Sequence, residues 1–157
     1  MQLVLYEPEI PPNTGTIARL CAATKTPLHL IRPLGFSLED RYLKRAGLDY
    51  WPHVNLSVWN GWEEFKAEAG GSGRLVYTSA RQGTPYHRFS FIHEDIVVLG
   101  PETRGLPEAL TSATSYLLRI PIWGKVRSLN LANAASILLY EGLRQCGELD
   151  RQLSGEE

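Results

Sequence analysis

"IVVLGPETRGLPEAL", residues 96–110, sets a purely apolar run against a glycine, two prolines and a pair of opposite charges. Ile96–Leu99 reads as a strand buried on both faces, the pattern of a parallel sheet. Gly100 and Pro101 end it. Glu102 and Arg104 follow, and a helical pattern opens at "LPEALTSA", 106–113. Working outward, the same grammar recurs. Strands are expected at "LVLY" (3–6), "LHLI" (28–31), "HVNLSVW" (53–59), "RLVYTS" (74–79), "DIVVLG" (95–100) and "YLLRIPI" (116–122). Helices are expected at 16–24, with Asn13 or Thr14 as cap, at 37–47, with Ser37 as cap and Gly47 as stop, at 60–70, and at 130–147. This alternation predicts an α/β domain: a mostly parallel sheet with helices on both faces. In such sheets ligands bind beyond the carboxyl ends of the strands, where Gly100 lies.

Composition bounds the answer. The 157 residues fit one domain, 1–157, with 151–157 expected as a flexible tail. No run approaches the roughly 20 apolar residues of a membrane span, and the acidic, proline-rich start does not read as a signal peptide, so a cytoplasmic protein is expected. Cys21 and Cys146 sit in apolar helical patterns and read as buried thiols. The four histidines lack ligand spacing, so no metal is expected. A net charge of −1 neither advertises nor excludes nucleic-acid binding.

Three stretches carry polar groups where a plain αβ turn would be short: "PPNTGTIAR" (11–19), "GPETRGLP" (100–107) and "IPIWGKVRSLNLANAAS" (120–136). In the third, Ser128, Asn130 and Asn133 crowd the start of the longest helix. One of them would suffice as a cap, and free N–H groups there could meet a ligand. Asn133, Ser136 and Tyr140 continue a polar stripe that could face a ligand, a subunit or water. There is no Walker A motif, no G-x-G-x-x-G after the first strand and no nucleophile elbow. The residues alone lead to an α/β domain with a composite loop site.

"NTGTIAR", "LGPETRGLP" and "IPIWGKVRSLNLANAASI" resemble the three signature motifs of the SPOUT methyltransferases, enzymes that modify RNA with S-adenosyl-L-methionine. The opening "LVLYEPEIPPNTGTIARLCAAT" and "GFSLEDRYLKRAGLDYW" extend the likeness over nearly the whole chain, to the TrmL-type tRNA (cytidine/uridine-34-2′-O)-methyltransferases. The resemblance implies a SPOUT fold with a C-terminal trefoil knot and a homodimer with the active site at the interface. It implies 2′-O-methylation of the wobble nucleotide in the tRNA anticodon stem-loop, with leucine isoacceptors as substrates. Carried over residue by residue, the cofactor would lie against Thr78, Ser79, Gly100, Ile120, Ser128, Leu129 and Asn133, largely on main chain.

For catalysis the resemblance implies Arg19, Asn13, Glu102, Ser128 and Asn130. A guanidinium stays protonated and is a poor base, so Arg19 would orient the ribose or a phosphate and stabilise charge developing on oxygen. Asn13 would brace the loop or the ribose, and Glu102 would brace the loops and hold Arg19. Arg104 would meet RNA phosphate or the neighbouring subunit. Arg41, Lys44 and Arg45 share one helix face, and Lys125 and Arg127 lie beside the inferred site; all five suit backbone contacts to RNA. Trp123 is the best placed of four tryptophans to touch a base, although packing is the commoner role. Other targets, ribosomal RNA or another tRNA position, stay open. So does a non-catalytic assembly factor, which would be expected to have lost at least one of Arg19, Glu102, Ser128 or Asn130; all four are present.

Overall fold

The computed structural model describes residues 1–155, without the side chains of residues 47 and 48. Seven strands form one parallel sheet: β1 (Gln2–Tyr6), β2 (Leu28–Ile31), β3 (Leu56–Trp59), β4 (Arg74–Thr78), β5 (Thr84–Pro85), β6 (Asp95–Leu99) and β7 (Leu117–Arg119). Their order is β3-β2-β1-β6-β4-β7-β5. Every residue of β2 and β6 is buried, as a covered parallel sheet requires. The period of two in β1 then sorts the core into layers. Leu3 and Leu5 pack with Ile17 of α1 (Pro11–Thr24) and Leu138 of α5 (Leu131–Gln145). Val4 points the other way, into a cluster with Trp62 and Phe65 of α3 (Trp62–Glu68). Helices therefore cover both faces. Cys21 lies in the first layer, where burial pushes its thiol up to about 12.

Register is pinned at one end of the sheet by charge. Asp95 is fully buried and accepts two hydrogen bonds from Arg74, at 2.6 and 2.8 Å, and a third from Ile92 N–H at 2.9 Å. Arg74 opens β4 and Asp95 opens β6, so the pair locks the amino ends of two paired strands. The opposite, carboxyl ends are left to the loops of the site.

Three expectations are corrected. Helix α1 starts five residues earlier than the apolar pattern, with Ile10 as its cap and prolines at its first two positions. Proline lacks an N–H, so a first turn made of Pro11 and Pro12 leaves fewer donors for a side chain to satisfy; Asn13 and Thr14 are inside the helix and do not cap it. Helix α2 (Arg41–Gly47) is capped by Asp40, whose Oδ1 accepts from Tyr42 N–H at 2.8 Å and Leu43 N–H at 3.2 Å; Ser37 holds only the preceding turn. The expected strand at 53–59 begins only at Leu56, because Leu48–His53 form a 3₁₀ turn. Residues Glu148–Ser154 form helix α6, where Glu148 pairs with Arg151 at 3.0 Å and accepts from Gln152 at 2.8 Å. Residues 156 and 157 lie outside the described residues. A short helix, α4 (Glu108–Thr111), follows the glycine loop.

Candidate active site

The loops leaving β4, β6 and β7 enclose a cavity of about 710 Å³. That is within the roughly 300–1,000 Å³ of small-molecule sites, and it sits at the carboxyl ends of the strands, as the topology demands. All three polar stretches reach it: Asn13 from the first, Gly100 and Glu102 from the second, Ile120, Ser128 and Asn130 from the third. Leu99, Leu118 and Leu138 supply an apolar floor; Arg81, Arg119 and Arg127 bring cations to its wall.

The loop after β6 is shaped by its own backbone. A Cβ on Gly100 would lie 2.5 Å from the carbonyl carbon of Gly105 and closer still to Leu106 N, so only glycine lets this loop fold back on the strand end. Gly105 turns it, at φ +69°. Close approach at Gly100 is thus first a matter of the loop itself, which then presents its main chain to the cavity.

The second and first stretches clamp each other with two carboxylates. Both oxygens of Glu102 accept backbone N–H groups, from Glu9 at 2.8 Å and Ile10 at 3.1 Å. Glu9 reciprocates, accepting Thr103 N–H at 3.1 Å and its hydroxyl at 2.8 Å. Those Thr103 hydrogen bonds, the backbone one foremost, hold the Glu9 carboxyl below its ordinary range. Arg104 adds an ion pair to Glu7, which raises the arginine further. Within one chain, both charges therefore fasten the loop after β6 to the loop after β1.

The third stretch joins this clamp through one amide. Asn130 Oδ1 accepts Ala132 N–H at 2.9 Å and Asn133 N–H at 3.3 Å, which caps α5. Its Nδ2 donates to Asn13 Oδ1 at 2.9 Å. Asn130 thus occupies two of the helix-start amides expected to be free for a ligand. Ser128 is left exposed at the cavity with no part in the cap.

The segment after β4 completes the wall. Thr78 donates its hydroxyl to Val98 O at 2.9 Å, and Ser79 Oγ accepts Arg81 N–H at 3.2 Å and Gln82 N–H at 3.1 Å. Both side chains hold the loop, so this wall also offers mainly backbone. Of the expected cofactor residues, Thr78, Ser79, Gly100, Ile120, Ser128 and Leu129 line the cavity. Asn133 does not; its side chain is exposed in the first turn of α5.

Arg19 is likewise outside the cavity of its own chain. It is exposed on α1, its guanidinium 4.8 Å above the ring of Tyr50. Arg41 stacks on Tyr42, Lys44 pairs with Glu39, and Arg45 is exposed; none of the three reaches the cavity. Of the other two expected RNA contacts, Arg127 lines the cavity and Lys125 is exposed beside it. Glu9, Thr103 and Arg119 escaped the sequence reading. The only hint of Glu9 was a carboxylate placed just ahead of a proline-started helix.

The chain matches the SpoU rRNA Methylase family over residues 1–140. It belongs to that family. A relative from Methylovorus glucosotrophus named tRNA (cytidine(34)-2′-O)-methyltransferase is 50% identical over 146 residues, covering 91% of this chain and 94% of its own. A solved structure described as giving structural insights into the 2-OH methylation of C/U34 on tRNA is 48% identical, with a TM-score of 0.88 over 92% of this chain and 94% of that one. An rRNA methyltransferase from Sinorhizobium meliloti, solved with AdoMet bound, is 25% identical with a TM-score of 0.81; it covers 91% of this chain and 55% of its own. The fold of this SpoU-family protein is the one expected, a parallel sheet with helices on both faces. Among the described residues, no group of His, Cys, Asp and Glu could hold a metal, and no helix is long and apolar enough to cross a membrane.

Proposed function

We propose that this protein is an S-adenosyl-L-methionine-dependent ribose 2′-O-methyltransferase acting on nucleotide 34 of tRNA, cytidine or modified uridine. The observation that carries this reading is the 50% identity, over nearly the full length of both chains, to a relative named for that activity. The cavity supports the cofactor. Its volume and apolar floor suit an adenosyl group, and its walls after β4 and β6 present main chain. S-adenosyl-L-methionine supplies a methyl group already activated on a sulfonium. Thr78, Ser79, Gly100, Ile120, Ser128 and Leu129 would hold it.

What remains for the chain is to place a 2′-hydroxyl in line and assist loss of its proton. Orientation of this kind contributes about 7–11 kcal/mol in favourable cases. Glu102, Asn130 and Asn13 act through rigidity: they tie the three stretches into one wall. Ser128, with its hydroxyl unspent on capping, points to the reacting groups.

Arg19 serves the cavity of a second copy. Its exposure on α1, and its support by Tyr50, suit a residue presented outward. There it orients the ribose or a phosphate and stabilises the developing oxyanion. The functional unit is accordingly a homodimer with the active site at the interface. Asn133 and Tyr140, both exposed on α5, face the partner. The strand order β6-β4-β7, in which the chain returns past β4, supports a C-terminal trefoil knot as in the SPOUT fold. The anticodon stem-loop of leucine isoacceptors is the substrate, and the cytoplasm is where it is met.

Mass spectrometry of tRNA from a deletion strain tests this. Loss of the 2′-O-methyl at position 34, restored by the wild-type chain and not by Arg19→Ala, is expected. Intact tRNA with altered ribosomal RNA would give the chain a different target.

A further inference from the structure

Trp123 is the most exposed large apolar side chain among the described residues, with 93% of its surface open to solvent. Tryptophan is commonly a large contributor to cores and interfaces, so its position outside every cluster of this fold calls for a partner. The loop that carries it runs between β7 and α5, and residues on either side, Ile122 and Arg127, line the cavity. Trp123 therefore stands at the mouth of the site.

Its neighbours are cationic. From Ala109 to Tyr140 the chain contains no aspartate or glutamate, while Arg119, Lys125 and Arg127 fall within it. Lys125 and Arg127 are exposed, and neither forms an ion pair among the described residues. In a chain of net charge −1, the loop that carries Trp123 thus holds two cations and no acidic residue. Protein interface cores are depleted of charge, because cations there must be desolvated. An RNA strand instead supplies a flat base for the indole and phosphates for both cations.

We infer that Trp123 is the stacking platform for an unpaired base of the RNA substrate, adjacent to the nucleotide whose ribose enters the cavity, with Lys125 and Arg127 on the flanking phosphates. This rests on the reading of the site as an RNA methyltransferase and adds a substrate-contact residue to it. Base–aromatic stacking of this kind corresponds to about 5- to 150-fold in affinity.

The test uses the full-length protein and a fluorescein-labelled tRNA anticodon stem-loop. Methyl transfer by the wild type to the unlabelled stem-loop is measured first; its absence would overturn the reading of the site and this inference with it. Given transfer, Trp123→Ala is expected to raise the Kd for RNA about 5- to 150-fold. KM should rise more than kcat falls, and melting temperature and sedimentation should be unchanged. Trp123→Phe keeps a stacking face and should stay near wild type. An abasic substitution at one unpaired loop position should weaken wild-type binding by the same factor and leave nothing further for Trp123→Ala to lose. Wild-type RNA affinity in Trp123→Ala would overturn the inference. So would a loss equal at every abasic position, or one accompanied by a change in oligomeric state, which would give the indole to a second copy.

Discussion

Asn130 donates to Asn13 across 2.9 Å and 117 residues of sequence, joining the first turn of the first long helix to the cap of the last. The same side chain caps α5 through its oxygen. The two roles separate by substitution. Asn130→Ser keeps a capping oxygen but is too short to reach Asn13, whereas Asn130→Ala loses both. Losing a cap costs about 1 kcal/mol. Asn130→Ala should therefore unfold at lower denaturant than Asn130→Ser, and both should lose methyl transfer through the broken link. Equal stabilities of the two variants in urea would contradict the cap.

Glu102 satisfies two backbone N–H groups at the entry to α1. Charge-assisted hydrogen bonds contribute about 1.5–3 kcal/mol each at most, and less where exposed. Glu102→Ala should lower stability by about 1–3 kcal/mol and weaken cofactor affinity, because the loop after β6 loses its anchor. Glu102→Gln retains one acceptor oxygen and should fall between. Calorimetric titration with S-adenosylhomocysteine checks the order.

Gly100→Ala places a methyl group against Gly105 and Leu106 backbone. Backbone cannot rotate out of the way as a side chain would. The loop after β6 must move, at a cost of the order of overpacking, about 1–3 kcal/mol. Cofactor binding should be lost while the far end of the sheet, with Arg74 and Asp95, keeps its hydrogen-exchange protection. Unimpaired binding would show that the loop can yield.

Acid should weaken the fold through His29. The ring is buried; its Nε2 donates to Gln2 Oε1 at 2.7 Å and its Nδ1 accepts from Trp59 at 3.1 Å. Burial lowers its pKa. The folded chain therefore binds this proton less readily than the unfolded chain. The stabilising effect is complete above the ordinary histidine value, near 6.5, and declines as pH falls from there toward the folded value. Protonation would also set two N–H groups against each other at Trp59. Melting temperature should fall between pH 7.5 and 5.5, and less steeply in His29→Leu. Equal slopes would assign the effect elsewhere.

These tests fall on features of unequal visibility in the sequence. Strands such as Ile96–Leu99 were plain because burial on both faces leaves an unbroken apolar run. The site's glycine, serine and asparagines were visible as polar groups in excess of turn chemistry, and their assignment to a methyl donor came from the family likeness. The start of α1 was hidden because two prolines removed the donors that a cap would signal. Glu9 with Thr103, and Arg74 with Asp95, were hidden for another reason: a pairing across 94 or 21 residues leaves no local trace. Arg19 was legible as a residue but not as a position: it lies outside the cavity of its own chain, and the second copy we propose it serves leaves no mark on the sequence.

Hydrogen–deuterium exchange on adding S-adenosylhomocysteine tests most directly whether the loops after β4, β6 and β7 form one donor site. Protection is predicted in peptides spanning 78–82, 99–106 and 118–131 together, with none in 56–68. Protection confined to one of these peptides, or appearing in 56–68 instead, would contradict it.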